Sequence, residues 1–266
     1  MDLTDKVALV TGAISGIGLS TVEELLKNKV RGVIAADIAY NEKVIEDLKS
    51  KFGDDRVVYV KTDISSKDSF ENAFKEAIRL FNNIDILVNC AGFLNEFNWE
   101  KEIQVNLVGT TYGCLLAIHD YFPKYKSTDM AYIINIASVT GLVPITMLPH
   151  YGATKYAVVG LTRTLGMNEF ITKKGIHIVG LCPGGTTTGM SSFDPATTVI
   201  YKEFLESQLS DIPYQKPEAV GKSVIDLLQK SESGAIWVIN DSVLSKTDLP
   251  VWEHIEKLYT ESHRME

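Results

Sequence analysis

Cysteine is scarce in this chain. There are three in 266 residues, Cys90, Cys114 and Cys182, an odd number with no CxxC pair and no Cys/His cluster at zinc spacing. That excludes a disulfide scaffold and a zinc finger as the organising device, and the thiols read as reduced and mostly buried. The five histidines, His119, His150, His177, His254 and His263, contain no HExxH or comparable ligand set, so no metal site is expected. Basic residues are outnumbered, 26 against 34 acidic ones, for a formal charge of −8. That balance does not favour binding a phosphate backbone, so nucleic acid is not an expected partner. Long apolar runs are missing too, with nothing near the ~20 residues of a membrane span. The opening Met1-Asp-Leu-Thr-Asp-Lys6 carries neither the apolar region of a signal peptide nor an Arg-rich transit helix. The expectation is a cytoplasmic protein without a membrane partner. No linker, repeat or low-complexity tract interrupts it, and 45 % hydrophobic with 23 % charged residues is an ordinary globular composition. One domain over residues 1–266 is expected.

Seven short apolar runs recur with helical patterns between them: Val7-Ala-Leu-Val-Thr11, Gly32-Val-Ile-Ala-Ala36, Val57-Val-Tyr-Val-Lys61, Ile84-Asp-Ile-Leu-Val-Asn89, Tyr132-Ile-Ile-Asn-Ile136, Ile176-His-Ile-Val-Gly-Leu181 and Ala235-Ile-Trp-Val-Ile239. They are nearly continuous in apolar character, as strands covered on both faces must be. Strand then helix, repeated, predicts an α/β Rossmann-type doubly wound sheet of about seven parallel strands with helices on both faces. Val22, Leu25 and Leu26 form one helical stripe, and Phe70, Phe74, Ile78 and Phe81 another. Longer helical patterns cover about residues 99–122 and 150–173. Residues 184–215 read as a loop with short helices at the sheet edge where such folds bind ligands. Residues 241–266 read as a tail, and the charged stretch 41–56 as a solvated helix face.

The first strand runs into Thr11-Gly-Ala-Ile-Ser-Gly-Ile-Gly18, which puts Gly12, Gly16 and Gly18 where strand turns into helix. Glycine permits the tight turn and lets the backbone approach a pyrophosphate, while the helix N-terminus presents free N–H groups. The bland alternative is an ordinary glycine-rich turn. Asp37, 19 positions after Gly18 and at the end of the second strand, weighs against it. A carboxylate there accepts from both ribose hydroxyls of an adenosine and repels a 2′-phosphate. Neither Ser15 nor Ile38 supplies a cation for such a phosphate, so NAD is preferred over NADP.

Tyr151-Gly-Ala-Thr-Lys155 decides nothing by spacing alone, because a Tyr/Lys pair four apart is expected by chance in this composition. Its position matters more. On a helix the two side chains share a face, and an ammonium near a phenol favours the phenolate. A tyrosine tuned that way exchanges a proton with an alcohol or carbonyl near neutrality. Ser138, thirteen residues earlier at the end of the fifth strand, is placed to hold the substrate oxygen.

The glycine turn, Asn89-Cys-Ala-Gly92, Asn106, Ser138, Tyr151 with Lys155, and Pro183-Gly184 follow the order and spacing of the short-chain dehydrogenase/reductases, a resemblance that reaches to about residue 240. It implies that Tyr151 is the acid/base, that Ser138 binds the substrate oxygen, and that Lys155 binds the nicotinamide ribose and lowers the tyrosine pKa. Asn106 is implied to hold a water linking Lys155 to solvent. Along the cofactor the resemblance places Gly12, Ser15, Gly16, Ile17, Gly18, Asp37, Ile38, Asp63 (at adenine), Ile64, Asn89, Ala91, Gly92, Pro183, Gly184, Thr186 and Thr188 (facing the carboxamide). Three departures stand out. Cys90 takes the place of a second asparagine, Thr186 that of an apolar β-branched residue, and Gly185 loosens the substrate loop. Ala137-Ser-Val-Thr-Gly-Leu-Val-Pro144, together with Gly234-Ala-Ile-Trp-Val-Ile239 and a tail bearing Trp252, resembles the branch of insect-type alcohol dehydrogenases and 15-hydroxyprostaglandin dehydrogenase-like enzymes. In that branch the tail is implied to shape the pocket at a dimer interface.

The segments Val139–Leu148 and Gly185–Phe204 carry a single cation, Lys202, and offer Leu142, Val143, Met147, Leu148, Met190 and Phe193. With Ser138, Thr140 and Gly185 they predict a pocket for an uncharged, apolar alcohol or ketone, aliphatic or terpenoid. His150 sits beside Tyr151 at the pocket edge or is simply a satisfied histidine. Trp99, Trp237 and Trp252 read as packing residues. The alternatives are a dehydrogenase or reductase of steroid- or prostanoid-like ketones, and a silent NAD-binding scaffold or storage protein. An intact Ser138, Tyr151, Lys155 and Asn106 argue against the last. A homodimer or homotetramer is implied by the resemblance and by the two long helices.

Overall fold

A computed structural model describes residues 2–201 and 213–250. Phe204, Trp252, His254, His263 and the tail beyond residue 250 lie outside the described residues. Strands β1 (Val7–Thr11), β2 (Gly32–Asp37), β3 (Val57–Lys61), β4 (Ile86–Asn89), β5 (Ala131–Ile136), β6 (Ile176–Pro183) and β7 (Ile236–Asn240) pair in parallel, in the order β3-β2-β1-β4-β5-β6-β7. Alternate residues of β1 feed opposite faces. Ala8 and Val10 pack with Val22 and Leu25 of α1 (Gly16–Lys27), Ile45 and Leu48 of α2 (Glu42–Phe52), and Val220 and Val224 of the helix Pro217–Lys230. Val7 and Leu9 pack with Phe70, Phe74 and Phe81 of α3 (Lys67–Phe81) and with Ile118 and Phe122. Phe70 and Phe74 are fully buried, each stabilising the fold by roughly 1.5–3 kcal/mol.

The expectation of about seven parallel strands needs one correction. An eighth strand, β8 (Val243–Thr247), pairs antiparallel with β7 at the sheet edge. Asp241 and Ser242 both have positive φ, 48° and 62°, the backbone of a two-residue hairpin turn. Val243-Leu-Ser-Lys-Thr247 is half-exposed and mixed in polarity, so hydrophobic pattern alone did not reveal it.

The pattern over 99–122 becomes a helical run that starts with α4 (Trp99–Glu102), continues as a π-helical stretch Ile103–Gly109, α5 (Thr110–Leu115) and a second π-helical stretch Leu116–Tyr121, and ends in α6 (Phe122–Tyr125). The pattern over 150–173 divides into α7 (Pro149–Gly166) and α8 (Glu169–Thr172), the latter capped by Asn168. β1 lies between β2 and β4, so the chain reverses its direction of travel across the sheet there. The C-terminal strand ends flanking such a reversal form a crevice.

Candidate active site

Gly12 and Gly16 turn the chain from β1 into α1 with φ of 66° and 50°. A Cβ on Gly12 would come within 2.9 Å of the Ala91 backbone, and one on Gly16 within 3.0 Å of Thr188. Backbone therefore lines the turn where side chains would fill it. The end of β4 is tied to this turn by Thr11, whose Oγ1 accepts from the N–H groups of Cys90 (2.9 Å) and Ala91 (3.0 Å). Asp37, at the end of β2, accepts from Ile14 N–H (3.3 Å) and Ala39 N–H (3.0 Å), which holds its carboxylate beside the glycine turn. Asp63 accepts from the backbone N–H (2.9 Å) and hydroxyl (2.6 Å) of Ser65.

β5 and α7 bring the second group together. Ser138 lies two residues past the end of β5, and its Oγ accepts from Thr140 N–H at 3.1 Å. Tyr151 and Lys155 lie one turn apart on α7, both buried, with Lys155 Nζ 5.5 Å from the tyrosine ring centroid and donating to Ile136 C=O at 3.1 Å. Burial pushes the Lys155 ammonium down to about 8. It also raises the Tyr151 phenol above its ordinary value, while the hydrogen bond with Ser138 pulls the other way. The expected lowering of the tyrosine pKa by Lys155 is thus not met by the protein's own groups, because removing a phenolate from water outweighs them.

One cavity of about 560 Å³ joins the two groups. Gly12, Ser15, Gly16, Ile17, Gly18, Asp37, Ile38, Asp63 and Ile64 line one part, and Ala91, Gly92, Pro183, Gly184, Thr186 and Thr188 continue it. Ser138, Thr140, Leu148, Tyr151, Lys155, Gly185, Met190 and Phe193 line the rest, with Met147. Asn89 and Asn106 do not line it. Asn89 donates to Asn135 (2.8 Å) inside the sheet, and Asn106 clamps Phe93 through its N–H (2.7 Å) and C=O (2.8 Å). Leu142 packs elsewhere, against Val158 and Val159, and Val143 is exposed, so neither lines the cavity. A cation from outside the two segments read as pocket lining also lines the cavity. Lys101 of α4 reaches the cavity, its Nζ 4.8 Å from the Phe93 ring centroid.

A family model described as short chain dehydrogenase matches residues 6–197. The chain belongs to the short-chain dehydrogenase family. It is 31 % identical over 252 residues to 15-hydroxyprostaglandin dehydrogenase [NAD(+)] of Macaca fascicularis, covering 91 % of this chain and 93 % of the relative. It is 32 % identical over 256 residues to alcohol dehydrogenase 1 of Ceratitis cosyra, covering 95 % and 99 %. Among solved structures, a 3-ketoacyl-(acyl-carrier-protein) reductase from Brucella melitensis complexed with NADH superposes with a TM-score of 0.73 at 26 % identity, covering 90 % of this chain and 98 % of that one.

Sequence reasoning missed three residues that shape the site of this short-chain dehydrogenase. Gln215 is buried and pairs with Thr186 through an isolated parallel bridge. It donates to Thr186 Oγ1 (3.3 Å) and Ile239 C=O (2.9 Å), and accepts from Ser242 N–H (2.9 Å). Its backbone bonds Gly185 C=O (2.8 Å) and Thr187 N–H (2.9 Å), so the stretch that Gly185 was expected to loosen is clamped. Glu96 and Glu102 are both fully buried around α4. Burial and the nearby Glu96 push the Glu102 carboxyl up to about 7. Glutamates in a polar stretch look solvated in sequence, and only the return of α7 against α4 encloses them. His150 pairs with Glu96 at 2.7 Å and stacks on Trp99 with ring centroids 5.8 Å apart, while Trp237 donates to Ser231 Oγ at 2.8 Å.

Proposed function

We propose that this chain is an NAD-dependent alcohol dehydrogenase that transfers hydride reversibly between NAD and an uncharged, apolar secondary alcohol of aliphatic or terpenoid type. One observation carries the reading: Ser138, Tyr151 and Lys155 open onto the same cavity as the glycine turn and Asp37. The backbone-lined turn fits a pyrophosphate and Asp37 fits an unphosphorylated ribose. Gly184, Thr186 and Thr188 line the stretch of cavity leading from there to Lys155. When bound, NAD supplies the hydride acceptor. The protein's part is positioning and proton transfer. In oxidation the Tyr151 oxygen takes the alcohol proton while Ser138 steadies the substrate oxygen, and in reduction Tyr151 returns it. On this reading the charge of the buried Lys155, near the tyrosine ring, works against the burial that holds the phenol protonated. An NAD preference fits oxidation in the cell. The same reading takes the chain as one domain, acting in the cytoplasm as a homodimer or homotetramer.

A second reading, a bulkier steroid- or prostanoid-like alcohol or ketone, is favoured by Lys101, a lining cation for which a small uncharged alcohol has no use. The test follows the NADH absorbance band with a graded series of alcohols, from ethanol-sized to terpenoid, steroid and carboxylated chains. Peak kcat/KM on an apolar secondary alcohol supports the first reading and peak efficiency on a bulky or acidic one the second. NADH binding with no turnover on any member would sink both and leave a silent scaffold.

A further inference from the structure

Helix α7 carries the reacting tyrosine, yet its own first turn is poorly capped. Leu148 stands at the cap position and makes no side-chain hydrogen bond, and Pro149 follows it. The first N–H groups of a helix have no partner within the helix and need an acceptor from outside. Here it comes from Glu96, far upstream. Its Oε1 accepts from Tyr151 N–H at 2.9 Å, and its Oε2 accepts from His150 N–H at 3.0 Å and meets His150 Nδ1 at 2.7 Å. The carboxylate is fully buried and sits at the positive end of the helix dipole. The backbone of Tyr151 itself is therefore one of its two amide ligands.

The loop that presents Glu96 is held in turn. Asn106 clamps Phe93 on both sides and also donates to Thr154 Oγ1 of α7 at 3.2 Å. Glu102 accepts from Asn95 N–H, and the Asn95 side chain accepts from Phe97 N–H at 3.1 Å and donates to Thr197 C=O at 3.3 Å. This region and α7 thus meet at two places, Glu96 with residues 150–151 and Asn106 with Thr154, and neither Glu96 nor Asn106 lines the cavity.

We propose that Glu96 is a positioning residue for the reaction: its buried carboxylate serves as the missing cap of α7 and sets Tyr151 in reach of Ser138 and the substrate oxygen. This rests on Tyr151 being the acid/base, as argued above. Glu96→Gln keeps the size but turns one oxygen into an N–H₂ donor, so the amides of residues 150 and 151 cannot both be accepted. The expected result is a fall in kcat for alcohol oxidation of about tenfold or more, since small misplacements of a reacting group cost at least that. NADH affinity should stay within about twofold because the glycine turn and Asp37, read as holding the adenosine and pyrophosphate, lie on other elements. The primary deuterium isotope effect on kcat should rise as the chemical step becomes more rate-limiting, which a general loss of stability would not produce. His150→Ala leaves both backbone bonds in place and should keep most of the activity. A Glu96→Gln enzyme with unchanged kcat, or a His150→Ala enzyme equally impaired, overturns the proposal. If Glu96→Gln does not fold, as shown by lost NADH binding, Glu96→Asp decides. It retains the charge on a shorter arm and should show reduced kcat with a raised isotope effect; wild-type values would overturn the proposal. Should the wild-type enzyme bind NADH and turn over no alcohol, the functional reading fails, whereas normal wild-type turnover matched by the variants removes only this inference.

Discussion

At Tyr151 two forces act on one hydroxyl. Burial raises its pKa and the Ser138 hydroxyl lowers it, with Lys155 Nζ 5.5 Å from the ring centroid. A phenol so placed holds its proton tightly until a positive charge or a substrate oxygen competes for it. Replacing Tyr151 with Phe removes the exchangeable proton and little else. Turnover should drop by about 10²–10⁴-fold, the usual worth of a general acid/base, with NADH binding retained on fluorescence titration. Asp37 supports a different prediction. Its carboxylate is fixed by two backbone N–H groups beside the glycine turn, and on the proposed NAD-binding reading it would repel a 2′-phosphate there. In Asp37→Ala the ratio of kcat/KM for NADP over NAD should rise at least about tenfold, or about 1.4 kcal/mol, as the like-charge repulsion is lifted. An unchanged ratio would show that selectivity lies elsewhere.

Among the elements, the loop after β6 shows how one polar side chain organises many backbone groups. Gln215 bonds Thr186, Ile239 and Ser242 through its amide, so loop, β7 and hairpin turn share a single buried anchor. Gln215→Ala removes the acceptor of Ser242 N–H and one of the two donors to Ile239 C=O, which keeps Gly184 N–H, and should destabilise the protein by about 1 kcal/mol in chemical denaturation, the scale of a net hydrogen bond. Because Thr186 and Gly185 line the cavity, KM for the alcohol should rise more than kcat falls. The same stretch marks a limit of reading patterns. Its Gly, Thr and Ser content announces a loop, but the clamp depends on a glutamine 29 residues away from Thr186, and no local periodicity encodes that partner. The strands from β1 to β7 were legible because each is a short apolar run, and α3 because Phe70, Phe74 and Phe81 repeat on one face. β8 was not, since an exposed edge strand needs no apolar pattern and is specified by the turn at Asp241 and Ser242.

For the molecule as a whole, buried ionisable groups make stability depend on pH in opposite directions. Glu102 has a folded pKa raised to about 7 from an ordinary 4.5, so the folded state binds its proton more tightly than the unfolded chain does. Its favourable contribution is complete below about pH 4.5 and is lost as pH rises through 7. Lys155, lowered to about 8 from 10.5, works the other way and favours the folded state increasingly from pH 8 upward. The difference in unfolding free energy between wild type and Glu102→Gln should therefore move against wild type by up to about 3 kcal/mol between pH 4.5 and 7.5. A flat difference in urea titrations at the two pH values would show that Glu102 is already ionised in the folded protein.

The sequence by itself determined the doubly wound sheet, the phosphate-type glycine turn, the acid after β2 and the Ser138, Tyr151 and Lys155 set. These depend on local periodicity and on residue types at fixed offsets along one chain. Tertiary structure alone decided what surrounds them. It buried Glu96 under the first turn of α7, carried Lys101 into the cavity, withdrew Asn89 and Asn106 from the lining, and tied Gly185 and Thr187 to Gln215. Each of these is a contact between elements distant in sequence. Whether a polar side chain is solvated, buried as an anchor or turned toward a ligand depends on what the fold packs against it.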